Sequence, residues 1–260
     1  MNETRYHETE LQPSIEAYWT RRASSYTDVI RKNLADGWEE VWANELISNF
    51  PLFHGQDMIK VLDIGTGPGF YSIILAKRGY QVTAIDSSVG MLEEAKCNAG
   101  ELAEKINFLC MDAQKLDFED NTFDVIVTRN LTWNLPDPVG AYQEWKRVLR
   151  KDGVLLNFDA NWYSYLFDEE KEKEYQQDRL NTVEAGVEDH SAYEEGDIME
   201  NISRCLPMGK VHRPQWDTSV LLEIGFRKVS ADTMVGERVW NPEEKINYAS
   251  TPGFMIVAVK

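Results

Sequence analysis

The stretch Val61-Leu62-Asp63-Ile64-Gly65-Thr66-Gly67-Pro68-Gly69-Phe70 decides the fold. It reads as a buried strand that ends in a glycine-rich turn and runs into a helix. Glycine lets the backbone approach a ligand with no side chain in the way. The helix that follows offers unpaired N–H groups. A second acid, Asp86, closes the next apolar run, Gln81-Val82-Thr83-Ala84-Ile85. An acid at that place can accept hydrogen bonds from a ribose diol. The two segments together describe a pocket for a nucleoside-bearing cofactor.

The glycine spacing narrows that ligand. A dinucleotide fingerprint is G-x-G-x-x-G, with its third glycine where helix and strand pack closely. Here the glycines are Gly65, Gly67 and Gly69, and Phe70 stands where the third should be. Pro68 and Phe70 crowd the place a pyrophosphate would take, and Asp63 would repel a phosphate. A ribose with a cationic or zwitterionic tail suits the turn better.

Further segments follow in order. They are Cys110-Met111-Asp112-Ala113, then Phe123-Asp124-Val125-Ile126-Val127-Thr128-Arg129-Asn130, then Trp145 to Gly153 with its Lys151-Asp152-Gly153 turn. With Val61–Phe70 and Asp86 they cover roughly residues 55–160. In this order and spacing the chain resembles the class I S-adenosylmethionine-dependent methyltransferases, in particular their small-molecule, type 11-like members. The resemblance implies a Rossmann-like, doubly wound α/β fold. Its seven-stranded sheet would be mostly parallel, with the last strand antiparallel.

The resemblance also implies site roles. Gly65 and Gly67, with Thr66 and Gly69 in the same turn, would face the methionine part of S-adenosylmethionine. Asp63 would hold the turn or reach the amino group through water. Asp86 would bind the ribose, Ser87 and Met91 would flank the adenine, and Asp112 with Ala113 would hold its edge. Asn130 would sit near the methionyl carboxylate or the methyl group. The stretch Trp19-Thr20-Arg21-Arg22-Ala23-Ser24-Ser25-Tyr26 is similar to segments that close over the cofactor in such enzymes. On that reading Tyr26 or Tyr18 reaches the cofactor and Arg22 its carboxylate; an amphipathic helix docked by its aromatic stripe is the alternative.

Composition bounds the rest. The 260 residues suffice for one large α/β domain with an insertion, or two small domains. Asp plus Glu outnumber Lys plus Arg by 44 to 27, for a formal charge of −17. A nucleic-acid binder needs a basic face, and no large basic cluster is visible. Cys97, Cys110 and Cys205 are far apart and form no metal-ligand spacing, so buried or half-buried thiols are expected and no metal. A polar N-terminus and the lack of a long apolar run point to a cytoplasmic protein, monomer or homodimer, without a membrane segment.

Hydrophobic periodicity predicts helices over 14–49, the alternating strands and helices of the core to residue 160, and no strand in 161–217. That last stretch mixes aromatics with charge and reads as a helical insertion covering the pocket. The organisation expected is a helical cap (1–54), a cofactor-binding core (55–160), a helical lid (161–217) and a completion of the sheet (218–260). Trp133 and Asn134 after the fourth strand, and Asp159 and Trp162 after the fifth, lie at the carboxyl edge where open α/β sheets bind ligands. They are the substrate candidates. His190 could be a base, with a solvated loop residue as the favoured reading. No catalytic dyad is evident, and methyl transfer from a sulfonium needs none, because the leaving thioether departs neutral. The function expected is methyl transfer to a small molecule, with a non-catalytic S-adenosylmethionine-binding sensor or partner-binding protein as the alternative.

Overall fold

A computed structural model describes residues 8–35, 37–51, 58–193 and 195–260. The expected junction between residues 54 and 55 and the polar first residues lie outside them. Seven strands form one sheet in the order β3-β2-β1-β4-β5-β7-β6. In chain order they are β1 (Lys60–Ile64), β2 (Gln81–Asp86), β3 (Ile106–Cys110), β4 (Phe123–Arg129), β5 (Leu149–Asp159), β6 (Lys228–Asp232) and β7 (Phe254–Val259). β1 to β5 pair in parallel, and β7 runs antiparallel to both β5 and β6. The expected doubly wound sheet is present, last strand included.

The central strands are apolar on both faces because helices cover both. Val61, Val125 and Val127 point to one side, where they meet Trp42 of α2 (Trp38–Ile47) and Phe70 of α3 (Phe70–Lys77). Leu62, Ile64 and Ile126 point to the other, against Tyr142 and Trp145 of α5 (Pro138–Val148). Period-two alternation thus feeds two cores at once. Each such buried aliphatic contributes about 1.5–3 kcal/mol.

Local chemistry sets the helix starts. Ser88 caps α4 (Val89–Ala99), its hydroxyl accepting from Met91 N. Asp137 caps α5 with Pro138 at the first turn. Asp168 caps α6 (Glu169–Ala185). The N-terminal helix α1 (Glu8–Ala35) starts earlier than the expected residue 14 and runs through Pro13. Strand β5 also starts earlier, at Leu149. Pairing with β4 begins there, slips at a bulge through Lys151-Asp152-Gly153, and resumes at Val154. The sequence shows the turn but not that pairing continues across it.

Between β5 and β6 lie α6, α7 (Gly196–Cys205) and α8 (Gln215–Glu223), with no strand among the described residues. The stretch after β6, Asp232 onward, contains α9 (Val235–Val239) and α10 (Pro242–Asn247). Two of the three thiols differ from expectation. Cys97 and Cys110 are exposed and Cys205 is half-buried. Cys110 ends the edge strand β3. Among the described residues no helix is long and apolar enough to cross a membrane.

Candidate functional site

Two cavities meet at the carboxyl edge of the sheet. The first lies over the ends of β1, β2, β3 and β4 and is covered by α1. Its walls include Gly65, Gly67, Asp86, Ser87, Met91, Asp112, Ala113 and Asn130, together with Trp19 and Tyr26 from α1. The second, of about 210 Å³, lies beyond it, between α1 and the insertion. Trp19, Tyr26 and Asn130 wall both.

The glycine turn is built from behind. Asp63 is buried, and its Oδ2 accepts from Thr66 Oγ1 at 2.7 Å and Ser72 Oγ at 2.6 Å. Burial pushes the Asp63 carboxyl up to about 6 against those hydrogen bonds. Asp63, Thr66 and Gly69 therefore shape the turn and wall neither cavity. Gly69, at φ 92°, lets the turn press on α4: a Cβ there would meet Ala95 Cβ at 3.1 Å. Gly67, at φ 51°, has room for a Cβ but not the backbone for one.

Asp86 faces forward. Its Oδ2 accepts from Gly67 N and its Oδ1 from Ser88 N, each at 2.9 Å. Each oxygen keeps a further lone pair. Burial pushes this carboxyl up to about 6, opposed by the two backbone donors. Asp112 Oδ1 accepts from Gln114 N at 2.8 Å and Gln114 Nε2 at 3.1 Å, which orients it at the cavity wall.

β4 ends in two residues of special character. Asn130 has a positive φ of 54°, and its Oδ1 is buried with no hydrogen bond among the described residues. Strain of this kind gathers at functional sites. Arg129 walls the first cavity, its guanidinium 4.6 Å from the Trp42 and Phe70 ring centres. Its Nε and Nη1 are buried and make no hydrogen bond among the described residues. Sequence reasoning passed over Arg129; a lone cation ending an apolar strand was the available signal.

The other candidates divide. Tyr18 and Arg22 wall the second cavity only, whereas Tyr26 walls both. Arg22 lies 4.2 Å from the Tyr193 ring centre and donates to Ser25 Oγ at 2.8 Å. Trp133 and Trp162 wall the second cavity; Asn134 walls the first, its Oδ1 accepting from Trp19 Nε1 at 2.6 Å. Asp159 reaches neither. It is fully buried, accepting from Trp133 N at 3.0 Å and Arg213 Nη1 at 2.8 Å, and Arg213 also pairs with Asp217. Asp159 is thus a buried ion-pair member that fixes the turn carrying Trp133.

The second cavity is dominated by aromatic rings. Trp133 and Tyr163 lie 5.0 Å apart, and Tyr165 stacks on Tyr175 at 4.0 Å. The Tyr193 hydroxyl is 3.3 Å from that of Tyr18 and 3.4 Å from that of Tyr163. His190 is half-buried here, not solvated, because its ring packs on Tyr248 and both its nitrogens are engaged.

A family model described as a methyltransferase domain matches residues 62–157. The chain is 32% identical over 109 residues to a ubiquinone biosynthesis O-methyltransferase of Coxiella burnetii, covering 41% of this chain and 47% of that one. It is 32% identical over 125 residues to a demethylmenaquinone methyltransferase of Staphylococcus aureus, covering 47% and 50%. The chain thus spans about half the length of these curated relatives. Among solved structures, a Haemonchus contortus phosphoethanolamine N-methyltransferase holding S-adenosylhomocysteine matches with a TM-score of 0.57 at 18% identity. That match covers 86% of this chain and 53% of the other, and it speaks to the fold alone.

Proposed function

We propose that this chain, whose residues 62–157 match a methyltransferase-domain model, is a class I S-adenosylmethionine-dependent methyltransferase that moves a methyl group to a small-molecule acceptor by in-line displacement. The first cavity seats the cofactor and the second the acceptor. The carrying observation is Asp86, fixed by Gly67 N and Ser88 N with lone pairs left over, beside Arg129, whose buried Nε and Nη1 make no hydrogen bond among the described residues. A ribose diol and a carboxylate are the groups those two side chains lack.

When bound, the cofactor supplies an electrophilic methyl group on a sulfonium. The residues of the chain do the rest by holding and excluding. Asp86 accepts from the ribose hydroxyls, and Ser87, Met91, Asp112 and Ala113 enclose the adenine. Gly65, Gly67, Asn130 and Arg129 take the methionyl end, with Asp63, Thr66 and Gly69 supporting from behind. Trp19 and Tyr26 present rings at the shared wall, where an aromatic face attracts a cation. Trp133 and Trp162 line the acceptor seat, with Tyr18, Arg22 and Tyr193 beside them. Alignment of this kind supplies up to roughly 7–11 kcal/mol of a barrier.

The acidic balance fits an acceptor that is not a nucleic acid, and a cytoplasmic monomer or homodimer is the setting we favour. Calorimetry with S-adenosylmethionine and S-adenosylhomocysteine tests the reading. Micromolar binding is expected, lost in Asp86→Ala; absence of binding by the parent protein sinks it. Retained binding without labelled methyl transfer to any of a broad metabolite pool would favour a non-catalytic sensor instead.

A further inference from the structure

Resting on the reading that the second cavity seats the acceptor, we propose that Glu243, His190 and Tyr248 form a proton relay there, through which a single-ring phenolic acceptor is deprotonated. The geometry sets its direction. His190 Nε2 lies 3.1 Å from Glu243 Oε1, and Nδ1 lies 3.0 Å from the Tyr248 hydroxyl. A carboxylate only accepts, so Nε2 carries the hydrogen of the neutral imidazole. Nδ1 is then a bare acceptor, and Tyr248 donates to it.

The surroundings hold the three in line. His190 N donates to Asn247 Oδ1 at 2.9 Å, and Asn247 Nδ2 donates to Glu188 O and Glu243 O. The Tyr248 ring is wedged between Trp162, at 5.0 Å, and Trp240, at 5.3 Å. Lys32 of α1 reaches Glu243 at 3.5 Å. Arg179 of α6 is tied to Asp189 and to the Asn247 carbonyl. Glu244, Tyr26 and Arg129 are the remaining charged or titratable groups that act on Tyr248. His190 and Tyr248 both wall the second cavity. Against the upward pull of burial, the bonds from His190 and Lys32 hold the Glu243 carboxyl below its ordinary value. Burial raises the Tyr248 phenol. Tyr248 therefore stays neutral and conducts a proton without storing the charge.

The step balances. The acceptor O–H bond breaks and its proton passes to Tyr248 Oη. The Tyr248 proton passes to His190 Nδ1, and the electron pair stays on the acceptor oxygen. Tyr248 ends neutral, and the imidazolium is paired with Glu243. Tyr248 is the catalytic residue of this step; His190 and Glu243 act through it. An imidazole can receive a proton from a phenol, of ordinary pKa about 10, far more readily than from an aliphatic alcohol. The cavity of about 210 Å³ suits one substituted ring, since about 150 Å³ holds benzene. Flat walls of Trp133, Tyr163, Tyr165 and Tyr175 favour a ring over a chain.

The probe is 4-nitrophenol, whose ionised form is yellow. It is titrated into the protein saturated with S-adenosylhomocysteine, and its bound spectrum is followed against pH. Wild type should bind it saturably, with a bound phenolate-to-phenol ratio about tenfold above that of Tyr248→Phe or His190→Gln, one pKa unit. Tyr248→Phe keeps the ring and its packing, so it decides the matter even where His190→Gln fails to fold. Equal phenolate fractions in wild type and Tyr248→Phe, or no saturable binding to wild type, overturn the relay. Failure to bind S-adenosylhomocysteine, measured in the same samples, overturns the cofactor reading instead.

Discussion

The first cavity takes its walls mainly from consecutive turns at the ends of β1 to β4, whereas the second gathers side chains from α1, the turn after β4, residues 162–200 and the loop at 247–251. In the first, a glycine turn, Ser87, Ala113 and two acids stand among larger side chains such as Trp19, Met91 and Arg129. The second is made of large rings and a few buried polar networks. A backbone pocket answers to local rules of turn and cap, so it recurs wherever the same turn is folded. A side-chain pocket depends on which distant helices come to rest together. On the proposed reading, one region specifies a shared cofactor, and the other is free to specify an acceptor.

The comparison breaks most visibly at the boundary between the two regions. Asp159→Ala should destabilise the protein by about 2–6 kcal/mol, because it leaves two buried donors, Arg213 Nη1 and Trp133 N, without their acceptor while Asp217 still pairs with the guanidinium. Thermal or denaturant unfolding measures this. A variant of unchanged stability would return Asp159 to the list of ligand-contacting residues. Within the first cavity, Asp86→Ala removes the acceptor for both backbone donors and ribose. Two charge-assisted bonds at about 1.5–3 kcal/mol each predict at least a hundredfold loss in S-adenosylhomocysteine affinity by calorimetry.

Arg129→Leu sharpens the division further. It should weaken S-adenosylhomocysteine binding by about 1.5–3 kcal/mol while leaving the cofactor-free protein as stable or more so, since it deletes a half-buried charge that has no ion-pair partner among the described residues. Affinity for 5′-methylthioadenosine, which lacks the carboxylate, should not change. Equal losses for both ligands would show that Arg129 supports the fold and not the methionyl end.

The smallest effect is on pH. Asp86 must be ionised to accept two hydroxyl hydrogens, and its carboxyl sits at about 6. Cofactor affinity should fall as pH drops through about 6, approaching tenfold per unit below it, and Asp86→Asn should flatten that profile. The stability of the cofactor-free protein moves the other way at these sites. Asp63 and Asp86 are raised in the fold, so their contribution favours the fold at low pH and is lost as pH rises through about 6. A parallel fall of stability in Asp86→Asn and wild type over that window would remove Asp86 from this account.

Much of the fold was legible because it is written locally. The strand–turn–helix at Val61–Phe70, the cap at Ser88 and the turn at Lys151-Asp152-Gly153 each follow from a few neighbouring residues. Asp63 and Asp86 look alike in sequence, two acids that close apolar strands. Only packing separates them: Ser72 and Thr66 turn the first inward, and the amides of Gly67 and Ser88 hold the second at the cavity. His190 looked like a solvated loop residue because its partners, Glu243 and Tyr248, lie 53 and 58 positions away. Arg129 carried no role in the sequence because nothing near it there shows that its Nε and Nη1 will be buried with no hydrogen bond among the described residues.

The sequence by itself determined the alternation of strands and helices, the glycine turn and the acid at the end of β2, because backbone dihedrals and hydrophobic periodicity act over a few residues. The tertiary structure alone decided which acid faces the first cavity, that Arg129 Nε and Nη1 are buried without a hydrogen bond among the described residues, and which rings line the second cavity. Those outcomes rest on desolvation and on contacts between segments more than a hundred residues apart, such as Trp19 with Asn134 and Tyr18 with Tyr193.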